Sequence, residues 1–266
     1  MTSTTRWLLG IEYLGSQYHG WQRQSHAANI QSTLEQVLSK VCDEAIEVTC
    51  AGRTDAGVHA TAQYVHFDCH KTRPIKAFLK GANTLLPNDI SVFSAEIVPN
   101  DFHARFSAKF RSYLYIINNT AEIRALANGR VTQFEYPLNE VKMHEAAQAL
   151  LGEQNFSAFR SAHCQSHSVH RFVREVSVRR EQELLLIQIT ANAFLHHMVR
   201  NIVGSLLDIG QEKKSVNWLA ELLKSEDRTQ AGITAPPEGL YLIGVEYPEN
   251  SNAATGLRYP WLISSS

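Results

Sequence analysis

Residues 46–69 read Ile46-Glu47-Val48-Thr49-Cys50-Ala51-Gly52-Arg53-Thr54-Asp55-Ala56-Gly57-Val58-His59-Ala60-Thr61-Ala62-Gln63-Tyr64-Val65-His66-Phe67-Asp68-Cys69. Short alternating runs, Ile46 to Cys50 and Thr61 to Cys69, predict two strands around a turn. Gly52 and Gly57 mark that turn as a place of positive φ or close backbone approach. Inside it stand Arg53 and Asp55. In extended backbone, positions i and i+2 share a side, which would let the guanidinium meet the carboxylate and keep it ionised. Taken alone, the turn reads first as a surface turn with an exposed ion pair worth about 0 to 1 kcal/mol.

Working outward, Trp7 to Tyr13 alternates as a strand, and Ile30, Leu34, Val37, Leu38 and Val41 follow helical spacing behind Asn29 as cap. Pro74 opens a second helix to Leu86, and Ile90 to Val98 is a strand. The second half gives strand Phe110 to Asn118, a short run Val131 to Tyr136, and an Asn139-capped helix ended by Gly152. A hairpin of Phe172 to Arg179 and Leu184 to Ala191 follows, then a helix Phe194 to Ile209, a short helix Val216 to Leu223, and a last strand Leu240 to Tyr247. Each half reads strand-helix-strand-strand-helix-strand. The expected class is α+β, with two tandem ferredoxin-like (βαββαβ) halves whose antiparallel sheets flank a central cleft. The expected boundaries are 1–107, 108–248 and a tail, 249–266, that docks on a surface or a partner chain through Tyr259 to Ile263.

The chain has 266 residues, 44% hydrophobic and 19% charged, enough for a sizeable core without staples. Four scattered cysteines without a Cys-x-x-Cys pair fit a reducing compartment. The start is polar and no run of 18 apolar residues occurs, so a cytoplasmic protein with no membrane segment is expected. The net charge of −1 does not point to nucleic acid, but its distribution does matter. Arg160 to Arg180 holds five arginines and three histidines against one glutamate, and His103 to Arg111 holds Arg105, Lys109 and Arg111 with no acid. These are either solvated basic faces or an anion-binding groove.

His163-Cys164-Gln165-Ser166-His167-Ser168-Val169-His170 has metal-like spacing. It lacks acids to orient the imidazoles and is flanked by arginines, so no metal is assigned; a basic loop facing an anion, or plain surface, is the alternative. His196 and His197, placed in the helix from Phe194, would point about 100° apart and read as ordinary helix histidines. Arg200 in that apolar helix needs a carboxylate or phosphate partner.

Together these segments resemble the TruA family of tRNA pseudouridine synthases. The resemblance rests on Gly15-Ser16 with His19-Gly20-Trp21-Gln22, Ala51 to Ala60, Leu86-Pro87-Asn88-Asp89-Ile90 and Asp101 to Ala108. It continues through Arg111-Ser112-Tyr113-Leu114-Tyr115, Phe156 to Arg160, Ala191 to Leu195 with Met198 to Gly204, and Gly239-Leu240-Tyr241-Leu242. It implies a cofactor-free homodimer that isomerises uridine to pseudouridine at positions 38, 39 and 40 in the anticodon stem-loop of tRNA. In that reading Asp55 matches the catalytic aspartate, as nucleophile or base, and Arg53 the arginine beside it. Tyr113 matches the tyrosine that contacts the target base, Arg200 an arginine paired with the aspartate, and Leu240 an apolar residue packed on the uracil. Arg105, Arg160 and Arg171 would contact RNA. Two departures stand out: Leu14 where Tyr-Asp-Gly is usual, and His167 to His170 before Arg171. A non-catalytic RNA-binding module of the same architecture is the competing class, and a metal-dependent hydrolase using the histidine run a third.

Overall fold

The computed structural model describes residues 4–162, 164, 166–251, 253 and 256–263. It is a mixed α/β structure with two compact units, Met1–Arg111 with Tyr241–Ser266, and Ser112–Leu240. The last strand and the tail therefore go with the N-terminal unit, unlike the 108–248 half expected from the order of elements.

In the first unit, β1 (Thr5–Tyr13), α1 (Ile30–Cys42), β2 (Thr49–Cys50), β3 (His59–Cys69), a helical stretch from 75 to 85 ending in α2 (Asn83–Leu85), and β4 (Ile90–Ile97) follow in order. The strand order is β4-β1-β3-β10, with β2 on β3. Asn29 caps α1 as expected, its Oδ1 accepting the Ser32 N–H at 2.9 Å. The stretch after Pro74 begins as the proline predicts, but residues Ala77–Ala82 are π-helical. Of the expected strand Ile46 to Cys50, only Thr49–Cys50 pairs. Trp7 lies opposite Phe67 in the β1–β3 register, and Phe78 packs on both rings at 4.6 and 5.7 Å. This aromatic group, with Leu9 and Ile11, is the centre of the unit's core.

β10 (Leu240–Glu246) runs parallel to β3, Tyr241 opposite His59 and Leu242 opposite Ala60. The sheets are thus not purely antiparallel, a correction that β6 on β5 repeats. The reason is legible in composition: Leu240-Tyr241-Leu242-Ile243-Gly244-Val245 is buried at every position, which is what a strand covered on both faces requires. The tail returns over the same unit. Arg258 stacks on Phe93 with 3.9 Å from guanidinium carbon to ring centre, pairs with Glu12 at 3.5 Å and exchanges hydrogen bonds with Thr61. In the run Tyr259 to Ile263 that follows, Pro260 and Ile263 are buried and Trp261 is exposed.

The second unit contains β5 (Phe110–Asn118, from Ser112), β6 (Thr132–Gln133), α3 (Glu140–Ala147), β7 (Gly152–Asn155), β8 (His170–Glu181), β9 (Leu184–Ala191), α4 (Met198–Gly210) and α5 (Trp218–Ser225), with strand order β5-β9-β8-β7. The hairpin turns at Gln182, φ 54°, where expected. Asn139 caps α3 through Lys142 N–H at 3.1 Å. Gly152 does more than stop that helix: with φ 84° it opens β7, a strand the sequence pattern did not show. No helix of the described residues is long and apolar enough to cross a membrane.

One buried group gives the first unit a pH dependence. His66 is 7% exposed, and its Nδ1 accepts the Ala104 N–H at 3.1 Å. Burial, with His103 and Arg6 nearby, lowers its pKa from 6.5 to about 4. The unfolded chain binds this proton more tightly than the folded one, so the contribution is complete above pH 6.5 and is lost as pH falls toward 4. The urea midpoint is expected to fall between pH 7 and pH 5, and to fall less in His66→Gln. Equal slopes in the two proteins would contradict this.

Candidate active site

The turn carrying Asp55 is fixed through its main chain. Ala51 donates to Tyr64 O at 2.8 Å, Trp21 donates to Thr54 O at 3.0 Å, Gly57 to Tyr18 O at 3.2 Å and Val58 to Asp55 O at 3.1 Å. Side chains complete the clamp. Tyr13 Oη and Thr54 Oγ1 are 2.8 Å apart, Gln63 Nε2 donates to Gly52 O at 2.5 Å, and Arg111 donates to Ala51 O at 2.9 Å. Gly20 is in the left-handed region at φ 88°, and a Cβ there would lie 2.7 Å from Thr54 O and 3.0 Å from the Asp55 carbonyl carbon. The loop Tyr18 to Gln24, which read as polar and aromatic, therefore bears directly on the backbone of Thr54 to Ala56. Asp55 is half-buried while Arg53 is exposed, and the turn at Ala56-Gly57 follows them, closed by Val58 N–H on Asp55 O.

The other expected residues belong to the second unit. Tyr113, on β5, is 8% exposed, and its ring meets Phe194 edge-on at 4.8 Å. Arg200, on α4, donates from Nε to Ala235 O at 2.7 Å, while Ala235 N–H returns a bond to Arg200 O at 3.1 Å. Gly204, one turn on, lies so close to the same loop that a Cβ would fall 1.7 Å from Ile233 O. Tyr115 Oη donates to Pro236 O at 2.7 Å, and burial raises its pKa. Leu240 N–H closes onto Pro237 O at 2.9 Å. Arg200, Gly204 and Tyr115 thus set the path of residues 233–237, the segment that delivers buried Leu240. Beside it lies a cavity of about 540 Å³ lined by Ser161, His197, Asn201, Arg228, Gly232 and Thr234. Arg228 donates there to Asn201 Oδ1 at 3.0 Å and Thr234 Oγ1 at 3.1 Å, a role that no spacing had flagged.

His196 and His197 are not helical. His197 has φ 62° and stands before the first residue of α4, Met198. The preceding loop is held by Ser161 N–H on His196 O at 3.1 Å, and the two rings lie 3.9 Å apart. In the histidine run, His163 and Gln165 lie outside the described residues. His167 and His170 are exposed, and Cys164, His167 and His170 do not gather at metal-ligand distances among the described residues. Backbone hydrogen bonds and Arg160 lower the Cys164 pKa.

The basic segments are less free than their composition suggests. Arg111 is held by carbonyls of Ala51, Arg105 and Ala108. Arg179 pairs with Glu181 at 3.2 Å and Arg180 with Glu140 at 3.1 Å. Arg105 is exposed, and Arg160 donates to Cys164 O at 2.6 Å. Arg171 is 8% exposed; it donates to Ser166 Oγ at 2.7 Å, His170 O at 2.5 Å and Ser168 O at 3.1 Å, and burial lowers its pKa. Its evident task is to fold residues 166–170 onto themselves. Arg171→Ala is expected to weaken RNA binding without changing the slope of log K against log salt. A slope smaller by about one would make it a phosphate contact instead.

A family model described as tRNA pseudouridine synthase matches residues 10–107 and 146–248; Tyr113 lies between the matched segments. The chain is 52% identical over 242 residues to a tRNA pseudouridine synthase A of Hydrogenovibrio crunogenus, covering 91% of this chain and 92% of that one. It is 50% identical over 244 residues to that of Pseudoalteromonas translucida, covering 92% of each. It is 51% identical over 247 residues to that of Idiomarina loihiensis, covering 93% and 95%. Among solved structures, a Cbf5-Nop10-Gar1 complex aligns at TM-score 0.35 and 12% identity over 76% of this chain and 45% of that one, too distant a likeness to carry an argument. The matched segments include the clamped Asp55 turn, α4 and Leu240, and identity near one half extends over nine tenths of the chain: it belongs to the tRNA pseudouridine synthase family, whose members are isomerases.

Proposed function

We propose that the chain isomerises uridine to pseudouridine at positions 38, 39 and 40 of the tRNA anticodon stem-loop, with Asp55 as the catalytic carboxylate. The observation that carries this reading is the clamped turn. Trp21 and Arg111 donate to its main chain and its own Gly57 N–H donates to Tyr18 O, leaving the half-buried Asp55 side chain on a backbone with little freedom. A catalytic group benefits from such placement, because geometry set in advance removes entropy from the barrier.

The reaction breaks the C1′–N1 bond, turns the uracil and joins C5 to C1′; the C5 proton leaves and N1 gains one. Nothing is oxidised or hydrolysed, so the steps balance without a redox partner. Asp55 assists either by attacking C1′, as retaining glycosidases do, or by taking the C2′ proton to give a glycal. A stacked uridine must first leave the helix, at a cost of a few kcal/mol. Arg53, exposed beside the turn, suits the vacated space or a phosphate. On the family likeness, Tyr113 contacts the base, Leu240 packs on the uracil, and Arg200 is the arginine paired with the aspartate. Ferredoxin-like halves, a homodimer, a cytoplasmic setting and the lack of a cofactor belong to the same proposal.

The test is chemical mapping of pseudouridine in tRNA transcripts that carry uridine at one position at a time. Product at 38, 39 and 40 and nowhere else is expected. Product confined to another arm of the tRNA would move the substrate site, and binding without product would favour the RNA-binding module.

A further inference from the structure

The segment 102–107 holds an aromatic ring out in solvent on an unusually well-tied turn. Phe106 is 75% exposed; one exposed ring is ordinary by itself, and what distinguishes this one is the order of the turn that carries it. The turn beneath it does not flex freely. Ser107 N–H bonds His103 O at 2.8 Å, and His103 N–H bonds Ser107 Oγ at 3.0 Å. His103 Nδ1 accepts both the Arg105 and the Phe106 N–H, each at 3.2 Å. Ala104 is fixed from two sides, its N–H on His66 Nδ1 at 3.1 Å and its carbonyl under Tyr247 Oη at 2.8 Å. Arg105 O receives Arg111 at 2.5 Å. Below the ring, His103 stacks at 4.3 Å and 32°, and His66 follows at 4.7 Å from His103. Burial lowers the pKa of both imidazoles, which suits Nδ1 as an acceptor at neutral pH. The Arg105 guanidinium lies over the Phe106 ring, 5.5 Å from its centre, on an exposed side chain that a base could displace toward a phosphate, and Lys109 is exposed nearby in sequence.

We propose that Phe106 is a stacking platform for an unpaired nucleobase of the RNA substrate, with Arg105 meeting an adjacent phosphate. The proposal rests on the RNA-modifying reading above and adds a binding residue to it. The charge at the ring selects the occupant: an exposed guanidinium at an exposed aromatic ring suits a base with its phosphate better than the apolar face of another protein. Because the turn is already ordered, stacking costs little further conformational entropy. An exposed ring also contributes little to the core, so its removal leaves folding intact.

The experiment measures tRNA affinity, turnover and salt slope for wild type, Phe106→Ala, Phe106→Leu, Phe106→Trp and Arg105→Gln, with thermal melts and solution mass as controls. Phe106→Ala and Phe106→Leu are expected to bind at least about ten-fold more weakly with an unchanged salt slope. Phe106→Trp should retain affinity, and Arg105→Gln should lower the slope by about one. Phe106→Leu binding as wild type would overturn the platform, since leucine keeps apolar area but has no π face. A change in solution mass with unchanged affinity would also overturn it and assign the ring to self-association. Because affinity is read apart from turnover, a wild type that binds tRNA but isomerises nothing sinks the proposed reaction while Phe106 is still judged. A wild type that does not bind tRNA removes both.

Discussion

Asp55→Asn is expected to lower the rate of pseudouridine formation by about 10⁴-fold or more, the scale seen when a group central to covalent or acid–base chemistry is removed, while tRNA affinity changes by no more than about three-fold. The amide has the shape of the carboxylate but neither attacks C1′ nor takes a C2′ proton. The backbone that positions residue 55 is held by bonds to Trp21, Tyr18, Gln63 and Arg111, none of which depends on the carboxylate, so the turn itself should persist. Asp55→Glu separates charge from placement. It keeps an acid but moves it by about one carbon–carbon bond, for which a loss of about 10²-fold is expected. Single-turnover assays with saturating enzyme read both. Equal rates for Asp55→Asn and wild type would remove the carboxylate from the chemistry.

Gly20→Ala should produce the second large effect, at a residue that touches no substrate in this account. At φ 88° an alanine is strained, and its Cβ would stand 2.7 Å from Thr54 O and 3.1 Å from Ala56 N. Those atoms are backbone on both sides of Asp55, so the clash is relieved only by moving the loop or the turn. The expected result is a stability loss of about 1 to 3 kcal/mol together with a rate loss of about 10²-fold at temperatures where the variant remains folded. The defect should sit in kcat more than in KM, because the turn is displaced and not deleted. Wild-type kcat with only a lower melting temperature would mean that the turn's position is not set from Gly20.

Much of this architecture was legible because local signals and burial agreed. Asn29 and Asn139 cap the helices that their spacing predicts, and Gln182 turns the hairpin. The errors fall where tertiary contacts decide. The segment Phe194 to His197 carries helix-compatible residues, but its main chain is used by Ser161 and its His197 is left-handed. The last strand's near-continuous apolar run suited a doubly covered position, yet order along the chain assigned it to the second half; parallel pairing with β3 placed it in the first unit. Gly152 looked like a stop signal alone, and β7 behind it, with two polar residues and one acid in four, has no strand pattern to read. For the site, a motif could name Asp55, but not the bonds from Gln63 and Arg111 that hold its turn, since those partners are distant in sequence. The same blindness made Arg171 look like a surface cation, when it is buried and both its Nη atoms donate to its own loop.

The most direct test of the central claim is release of tritium from tRNA labelled at uridine C5, with wild type and Asp55→Asn measured side by side. Forming the C5–C1′ bond expels the C5 hydrogen, so release reports the isomerisation itself. Release by wild type, none by Asp55→Asn, and comparable tRNA binding by both are expected. Release by both proteins at similar rates, or by neither despite tight binding, would contradict it.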